Sequence, residues 1–313
     1  MVNRLLRVGV VILNWNRPFE TLACLDSLRR SNVGSDCLSF EIVVVDNGSV
    51  DGSPELLRRL RPDVTVIENG HNLGFAAGSN VGIRHLLNRG VDFVFLLNDD
   101  AEVAPDSIRI LVDEAISDSG VGIVGPKIYY HDPGNVIWFA GGCVDRYGRA
   151  SHPGVDRRDD SAADVSRDVD YVTGCAMLVK RDVIERIGLL DERFFAYFEE
   201  TEWCARARSA GFRVIYVPRA RVWHKIKPND RPRSPLYLYL MARNRLLYLR
   251  CVHASPSEIA LASLDLVRTA ISWLLRPRHQ DMRRYSSVLL RGVWDFLLGR
   301  FGAPPVSMRG PTG

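Results

Sequence analysis

The stretch Phe93-Val94-Phe95-Leu96-Leu97-Asn98-Asp99-Asp100 decides the fold, because five apolar residues run unbroken and then stop at three polar ones. An apolar run of that length fits a strand covered on both faces, as in a parallel sheet between helices. The same figure recurs on the amino-terminal side. Val8–Leu13 runs into Asn14-Trp15-Asn16, Ile42–Val45 runs into Asp46-Asn47-Gly48-Ser49, and Val64–Ile67 is a further strand. Helix signals separate them. Asn16 and Pro18 precede Leu22, Leu25 and Leu28, Asp51 or Ser53 with Pro54 opens a second helix, and Ala76–Leu87 is a third. The order βαβαβαβ predicts an α/β fold with a mainly parallel sheet flanked by helices on both faces. Ligands of such sheets sit outside the carboxyl ends of the strands. All three polar clusters fall there.

Bulk properties narrow the function. The 313 residues suffice for one large core with an appendage, and 46% hydrophobic with 25% charged residues is an ordinary globular composition. The net charge of +4 conceals a division: thirteen arginines against four acidic residues from Arg231 onward give +9, leaving −5 for the first 230 residues. A mildly acidic body speaks against nucleic acid as a partner, while the basic tail suits anionic lipid. Cys24, Cys37, Cys143, Cys175, Cys204 and Cys251 form no CxxC pair, so they are expected to be buried, reduced thiols of a cytoplasmic protein. No stretch reaches 18 uncharged apolar residues, so no membrane span is expected. The localisation expected is therefore cytoplasmic, with peripheral attachment to the inner face of the plasma membrane as an extension of it.

The middle of the chain is read as more irregular: a mobile loop over Asp156–Asp170, strands over Tyr171–Lys180 and Arg213–Val217, and a boundary in the proline-rich Asn229–Pro235. This divides the chain into a domain over 1–230 and a basic, helical extension over 231–313.

Several clusters could carry chemistry. Adjacent Asp99 and Asp100 at a strand end repel one another unless a cation lies beside them, and hard oxygen ligands suit Mg2+ or Mn2+. A solvated turn capping the next helix is the plain alternative. Asp46-Asn47-Gly48-Ser49 could accept from a base or ribose, or be an ordinary Asx turn. Asn72-Leu73-Gly74-Phe75-Ala76-Ala77-Gly78 places small residues at a helix start, where backbone amides could meet a phosphate. Glu199, Glu200 and Glu202 follow the aromatic run Phe194-Phe195-Ala196-Tyr197-Phe198, which raises the pKa of at least one carboxylate. Their position also suits a helix amino terminus, which favours acids. His224, alone in Val222-Trp223-His224-Lys225, is by itself more simply a packed side chain.

Together these segments resemble glycosyltransferase family 2, especially its rhamnosyltransferase-like branch. VVILNWNRP (10–18), VVVDNGSVDGS (43–53), NLGFAAGSNVGIR (72–84), FLLNDDAEV (95–103) and the region 171–224 match in the family's order. The resemblance implies the GT-A fold, with a nucleotide-binding and an acceptor-binding half on one mixed sheet, and a helical carboxyl-terminal extension. It implies an inverting, metal-dependent transfer from a nucleoside-diphosphate sugar to a glycan or lipid-linked acceptor. By motif match Asp46 meets the donor's base, Asn14 and Asn47 line the nucleoside pocket, and Asn72 and Gly74 face the donor. Asn98, Asp99 and Asp100 replace the DxD-like motif, with Asp100 at the metal position and Asn98 where the family carries its first Asp. His224 matches a late metal ligand. Phe198-Glu199-Glu200-Thr201-Glu202-Trp203 matches E-D-x-D-[LW], putting the catalytic base at Glu200. Glu stands at both Asp positions, so Glu199 is the second candidate. Arg243, in an Arg-Asn segment typical of the branch, either approaches the acceptor or nucleotide or packs on the domain.

In the tail, Trp273, Leu274, Leu275, Trp294, Phe296, Leu297 and Leu298 alternate with arginines, which suits helices lying on anionic lipid. The same pattern suits packing on the enzyme or on a second copy of the chain. A sugar nucleotidyltransferase is disfavoured, because Asn14-Trp15-Asn16-Arg17-Pro18 stands where a glycine-rich triphosphate loop is needed. A non-catalytic nucleotide- or glycan-binding homologue is the remaining alternative.

Overall fold

The computed structural model describes residues 5–31, 38–160, 165–228 and 234–308. Cys37, residues 161–164 of the loop expected over Asp156–Asp170, and residues 229–233 of the boundary expected over Asn229–Pro235 lie outside them. The amino-terminal half alternates β1 (Leu6–Asn14), α1 (Pro18–Arg30), β2 (Leu38–Asp46), α2 (Ser53–Leu60), β3 (Thr65–Glu68), α3 (Gly74–Asn88) and β4 (Phe93–Asn98). Next come β5 (Ala101–Val103), α4 (Ser107–Ser117), β6 (Val121–Tyr130), β7 (Ile137–Phe139), β8 (Cys143–Val144), β9 (Ala150–Ser151) and β10 (Arg167–Asp168). The chain continues with β11 (Ala176–Lys180), α5 (Arg181–Ile187), α6 (Glu199–Ser209), β12 (Arg213–His224), α7 (Pro235–Cys251), α8 (Pro256–Leu275) and α9 (Ser286–Leu297).

One mixed sheet runs β10-β12-β6-β11-β4-β1-β2-β3, with β5 on β12 and β7 on β6. β4, β1, β2 and β3 are mutually parallel, and the register sets Asn14 opposite Asp46 and Leu13 opposite Asn98. The polar clusters therefore share one sheet edge. β11 enters antiparallel between β4 and β6. This is the GT-A arrangement, and the core is the continuous apolar cluster formed by these strands and their helices.

Three expectations change. The segment Tyr171–Lys180 is extended sheet only from Ala176, because Tyr171–Cys175 leaves the ladder to pass the site. The Arg213 strand runs on to His224 through an irregularity between Val217 and Arg221. That extension pairs His224 with Ala101, one residue from Asp100. The described part of Asp156–Asp170 is tied down rather than free. Asp156 accepts from the Tyr130 hydroxyl at 2.6 Å, and Asp159 accepts from Lys127 Nζ at 3.0 and 3.1 Å. Arg167–Asp168 adds a short strand on β12. The wholly buried β6 and the helix α4, in the region read as irregular, complete the second half of the sheet.

A second apolar cluster joins the carboxyl-terminal helices to the body: Phe194 and Phe198 pack with Leu246, Leu247, Leu266, Leu289 and Phe296. Cys24, Cys175 and Cys204 are buried as expected, whereas Cys143 is exposed on a two-stranded flap and Cys251 is half-buried. Among the described residues no helix is long and apolar enough to cross a membrane.

Candidate active site

One side of the site is a buried amide and carboxylate lattice. Asn14 Nδ2 donates to Asp46 Oδ1 at 2.7 Å and to Ser49 Oγ at 3.1 Å, while Asn14 Oδ1 accepts from Thr21 Oγ1 at 2.8 Å. Asp46 Oδ2 accepts from the amides of Gly48 (3.2 Å) and Ser49 (2.9 Å), which folds the chain back under it. Asn47 reaches the next loop, donating to Asn72 Oδ1 at 3.1 Å and to the Gly74 carbonyl at 3.2 Å. Asn72 Oδ1 in turn accepts from the Gly74 amide at 2.9 Å. Gly74 takes φ +83°, and a Cβ there would lie 2.5 Å from the Phe195 ring. Only glycine fits both the backbone and the space. Thus Asn14, Asp46, Asn47, Asn72 and Gly74 form one connected wall.

The acidic turn beyond β4 forms the next part. Burial, then the neighbouring Asp100 charge, pushes Asp99 up to about 7. Burial alone would also raise Asp100, but His224 and Arg17 outweigh it and hold its carboxyl below the usual range. Arg17 NH1 lies 2.9 Å from Asp100 Oδ2, and His224 Nε2 lies 2.9 Å from Asp100 Oδ1. The latter contact lacks hydrogen-bond geometry, so Asp100 Oδ1 is buried without a hydrogen-bond partner; His224 Nδ1, the ring nitrogen not in that contact, is also unpartnered. Unsatisfied buried polar atoms cost on the order of 1–3 kcal/mol each. A carboxylate oxygen left in that state 2.9 Å from the imidazole Nε2 suits a divalent cation such as Mn2+ or Mg2+. Among the described residues no three or more metal-ligating side chains cluster. Trp138 packs edge-on against His224 at 4.6 Å between ring centroids and shields one side of it. Arg17 and Trp138 were not singled out from the sequence. Arg17 had a signal, since it lies in the motif following β1.

The carboxylates of α6 divide by role. Glu202 turns back along the helix to accept from Arg206 Nε at 2.7 and 2.9 Å, and Arg206 also holds the carbonyls of Ile187 and Leu189. Glu202 is therefore structural. Glu199 and Glu200 each leave Oε2 buried with no partner. Burial pushes Glu200 up to about 7, and burial followed by the Glu200 charge raises Glu199 well above the usual carboxylate range. The two exchange protons as a pair. A Cβ on Gly174 would lie 3.8 Å from Glu200 Cβ, and the adjacent Cys175 carbonyl accepts from the Asn98 amide at 2.9 Å. The glutamate pair and the Asn98-Asp99-Asp100 turn thus flank one strand entry. The registers place Asn14, Asp46 and Asn98 at this edge and pair His224 with Ala101 beside Asp100, whereas Arg243 is buried in α7 and donates to the Phe194 carbonyl.

The model of glycosyl transferase family 2 matches residues 9–188, more than half of the chain. The chain belongs to glycosyltransferase family 2. Within the family, this glycosyltransferase sits with the rhamnosyltransferase-like branch. It is 28% identical over 228 residues to the N-acetylglucosaminyl-diphospho-decaprenol L-rhamnosyltransferase of Mycobacterium tuberculosis, covering 66% of this chain and 73% of that one. It is 32% identical over 272 residues to the low-salt glycan biosynthesis hexosyltransferase Agl10 of Haloferax volcanii, covering 84% and 85%. Among solved structures, a mannosyltransferase from Pyrobaculum calidifontis in complex with GDP-Man and Mn2+ superposes with TM-score 0.56 at 17% identity, covering 95% of this glycosyltransferase and 88% of that chain. That likeness concerns the fold.

Proposed function

We propose that this glycosyltransferase moves a hexose, L-rhamnose first among them, from a pyrimidine nucleoside-diphosphate sugar to a hydroxyl of a cell-envelope or lipid-linked acceptor, inverting the anomeric centre. The observation that carries the reading is the glutamate pair: two partnerless, buried carboxyl oxygens of raised proton affinity lie beside the acidic turn at the sheet edge where donors bind. The Mycobacterium tuberculosis relative, by its name, transfers L-rhamnose to a decaprenol-linked sugar, which favours this donor and acceptor class here.

Asp46 and Asn14 receive the base and ribose, and Asn47 fixes the Asn72–Gly74 loop against the donor. Asp100 and His224 would hold a divalent cation, whose chemistry is to offset charge growing on the departing diphosphate. Glu200 accepts the acceptor hydroxyl proton as that oxygen attacks the anomeric carbon from the face opposite the nucleotide. Its raised proton affinity matches it to work near neutrality. Burial and the Glu200 charge favour the neutral form of Glu199 beside it, which disfavours two adjacent charges. A single displacement inverts configuration and needs no covalent enzyme intermediate.

The domain over 1–230 carries the chemistry in this account, and the extension over 231–313 adds an anchor. Leu274, Leu275, Trp294 and Leu297 are 55%, 69%, 55% and 63% exposed, on helices that also carry Arg268 and Arg291, with Arg276 just past the end of α8. Apolar side chains next to arginines suit the surface of an anionic bilayer, which supports attachment where lipid-linked acceptors reside. The test is release of nucleoside diphosphate from a panel of nucleotide sugars with a polyprenyl-diphosphate-linked acceptor. Turnover of one pyrimidine donor, with the product's anomeric configuration inverted, is the expected result. Retained configuration would remove the single-displacement reading.

A further inference from the structure

The segment Phe194–Phe198, which launches the glutamate pair, is held in a backbone shape its residues do not favour. Phe195, Tyr197 and Phe198 have φ of 67°, 68° and 74°, and none is glycine. The Ala196 amide donates to the Phe194 carbonyl at 2.9 Å, closing a γ-turn of the uncommon, strained hand around Phe195. Such a shape persists only where its surroundings over-determine it.

Those surroundings come from α7. Asn244, fully buried, donates Nδ2 to the carbonyls of Phe194 (2.9 Å), Ala196 (2.8 Å) and Tyr197 (2.8 Å). Arg243, 1% exposed, donates to the Phe194 carbonyl at 3.0 Å and the Gly302 carbonyl at 2.8 Å, and its Nε holds Asn244 Oδ1 at 3.0 Å. A buried guanidinium directed mainly at backbone carbonyls is an expensive arrangement for packing alone. The opposite side of the segment meets the donor loop: the Phe195 carbonyl accepts from the Ala76 amide at 3.1 Å, and the Phe195 ring fills the space left by Gly74. The Phe198 carbonyl then accepts from the Glu202 amide at 2.8 Å, closing the first turn of α6.

We propose that Arg243 and Asn244 are positioning residues for the transfer reaction, clamping Phe194–Phe198 so that Glu199 and Glu200 are held at a fixed place relative to the donor loop. The proposal rests on the reading of Glu200 as the base. Helix α7 in this account is part of the active-site scaffold as well as a tether for the extension.

The test is Asn244→Ala, with donor kinetics, a pH profile and a melting curve. A base displaced by about 1 Å can lose on the order of 100-fold in rate, so kcat is expected to fall roughly 10- to 100-fold while donor KM changes less than about threefold. The rising limb of the pH profile should move below its wild-type position as water reaches the freed carboxylates. Adding Tyr197→Gly to Asn244→Ala should recover kcat at least about threefold, because glycine holds positive φ unaided. Arg243→Lys keeps the charge but loses the fork, and gives a milder fall with the same KM pattern if Asn244→Ala does not fold. A folded Asn244→Ala or Arg243→Lys enzyme with wild-type kcat and pH limb, altered only in melting temperature, overturns the proposal. Glu200→Gln separates the two failures: if it retains turnover the base assignment is wrong, and if it is inactive while the clamp variants are not, the clamp alone is wrong.

Discussion

Glutamine substitutions at Glu199 and Glu200 separate two carboxylates that are neighbours in sequence but differ in their place in the reaction. Loss of a positioned general base costs about 10²- to 10⁴-fold, and Glu200→Gln should lose kcat by that amount. Burial and then the Glu200 charge raise Glu199 well above the usual carboxylate range, which favours its neutral form. An amide copies that neutral form, so Glu199→Gln should keep kcat within about tenfold. The pH dependence follows from the rise of Glu200 from 4.5 to about 7. The base works only when ionised, so kcat/KM climbs with pH through about 7 and at pH 6 lies about tenfold below its plateau. Stability has the opposite sign. A raised carboxyl favours the folded state below its unfolded value, and that advantage is lost as pH rises through the folded one. At about 1.4 kcal/mol per unit, the loss by pH 8 is on the order of 3 kcal/mol. Glu200→Gln should therefore be nearly inactive yet more stable than wild type at pH 8, with little difference at pH 5. Initial rates of nucleoside diphosphate release and calorimetric melting across pH 5–9 measure both. An inactive Glu199→Gln beside an active Glu200→Gln, or a Glu200→Gln with no stability gain at pH 8, would refute the reasoning.

Gly74→Ala places a methyl 2.5 Å from the Phe195 ring at φ +83°, and should lower unfolding free energy by about 1–3 kcal/mol and weaken donor binding. Equilibrium denaturation with nucleotide titration checks it, and a neutral substitution would show that the loop gives way freely. Leu274→Glu combined with Leu297→Glu removes two exposed apolar contacts and should abolish co-sedimentation with phosphatidylglycerol vesicles while leaving donor turnover in solution within about twofold. Unchanged sedimentation, or dissociation of a dimer instead, would assign that surface to protein.

The amino-terminal half was legible because its signals are local. Apolar runs ending in Asn14, Asp46 and Asn98 declare parallel strands, and their shared direction puts the polar clusters on one edge. The meeting of Asp100 with His224 was not visible in that way. It depends on β12 running past Val217 to the register where His224 faces Ala101, a long-range pairing without a local signature. Only the resemblance pointed to His224. The strand β6, with Gly122, Gly125 and Pro126 inside it, was hidden because those residues interrupt the apolar pattern although every position is buried. Glu202 reads like its neighbours in sequence and is separated from them only by Arg206, one helical turn on. The Phe194–Phe198 segment reads as an ordinary aromatic run, since positive φ in non-glycine residues is imposed by partners fifty residues away in α7.

In the proposed reaction Asp100 and His224 would hold a divalent cation for a nucleoside diphosphate. Isothermal titration of purified protein with thymidine and uridine diphosphates, in Mn2+ and in chelator, tests it most directly. Binding in Mn2+ is expected to weaken at least about tenfold on chelation, a loss of about 1.4 kcal/mol, and Asp100→Ala is expected to bind equally weakly with or without metal. Binding indifferent to metal in the wild type, or no binding of either nucleotide in Mn2+, would contradict it.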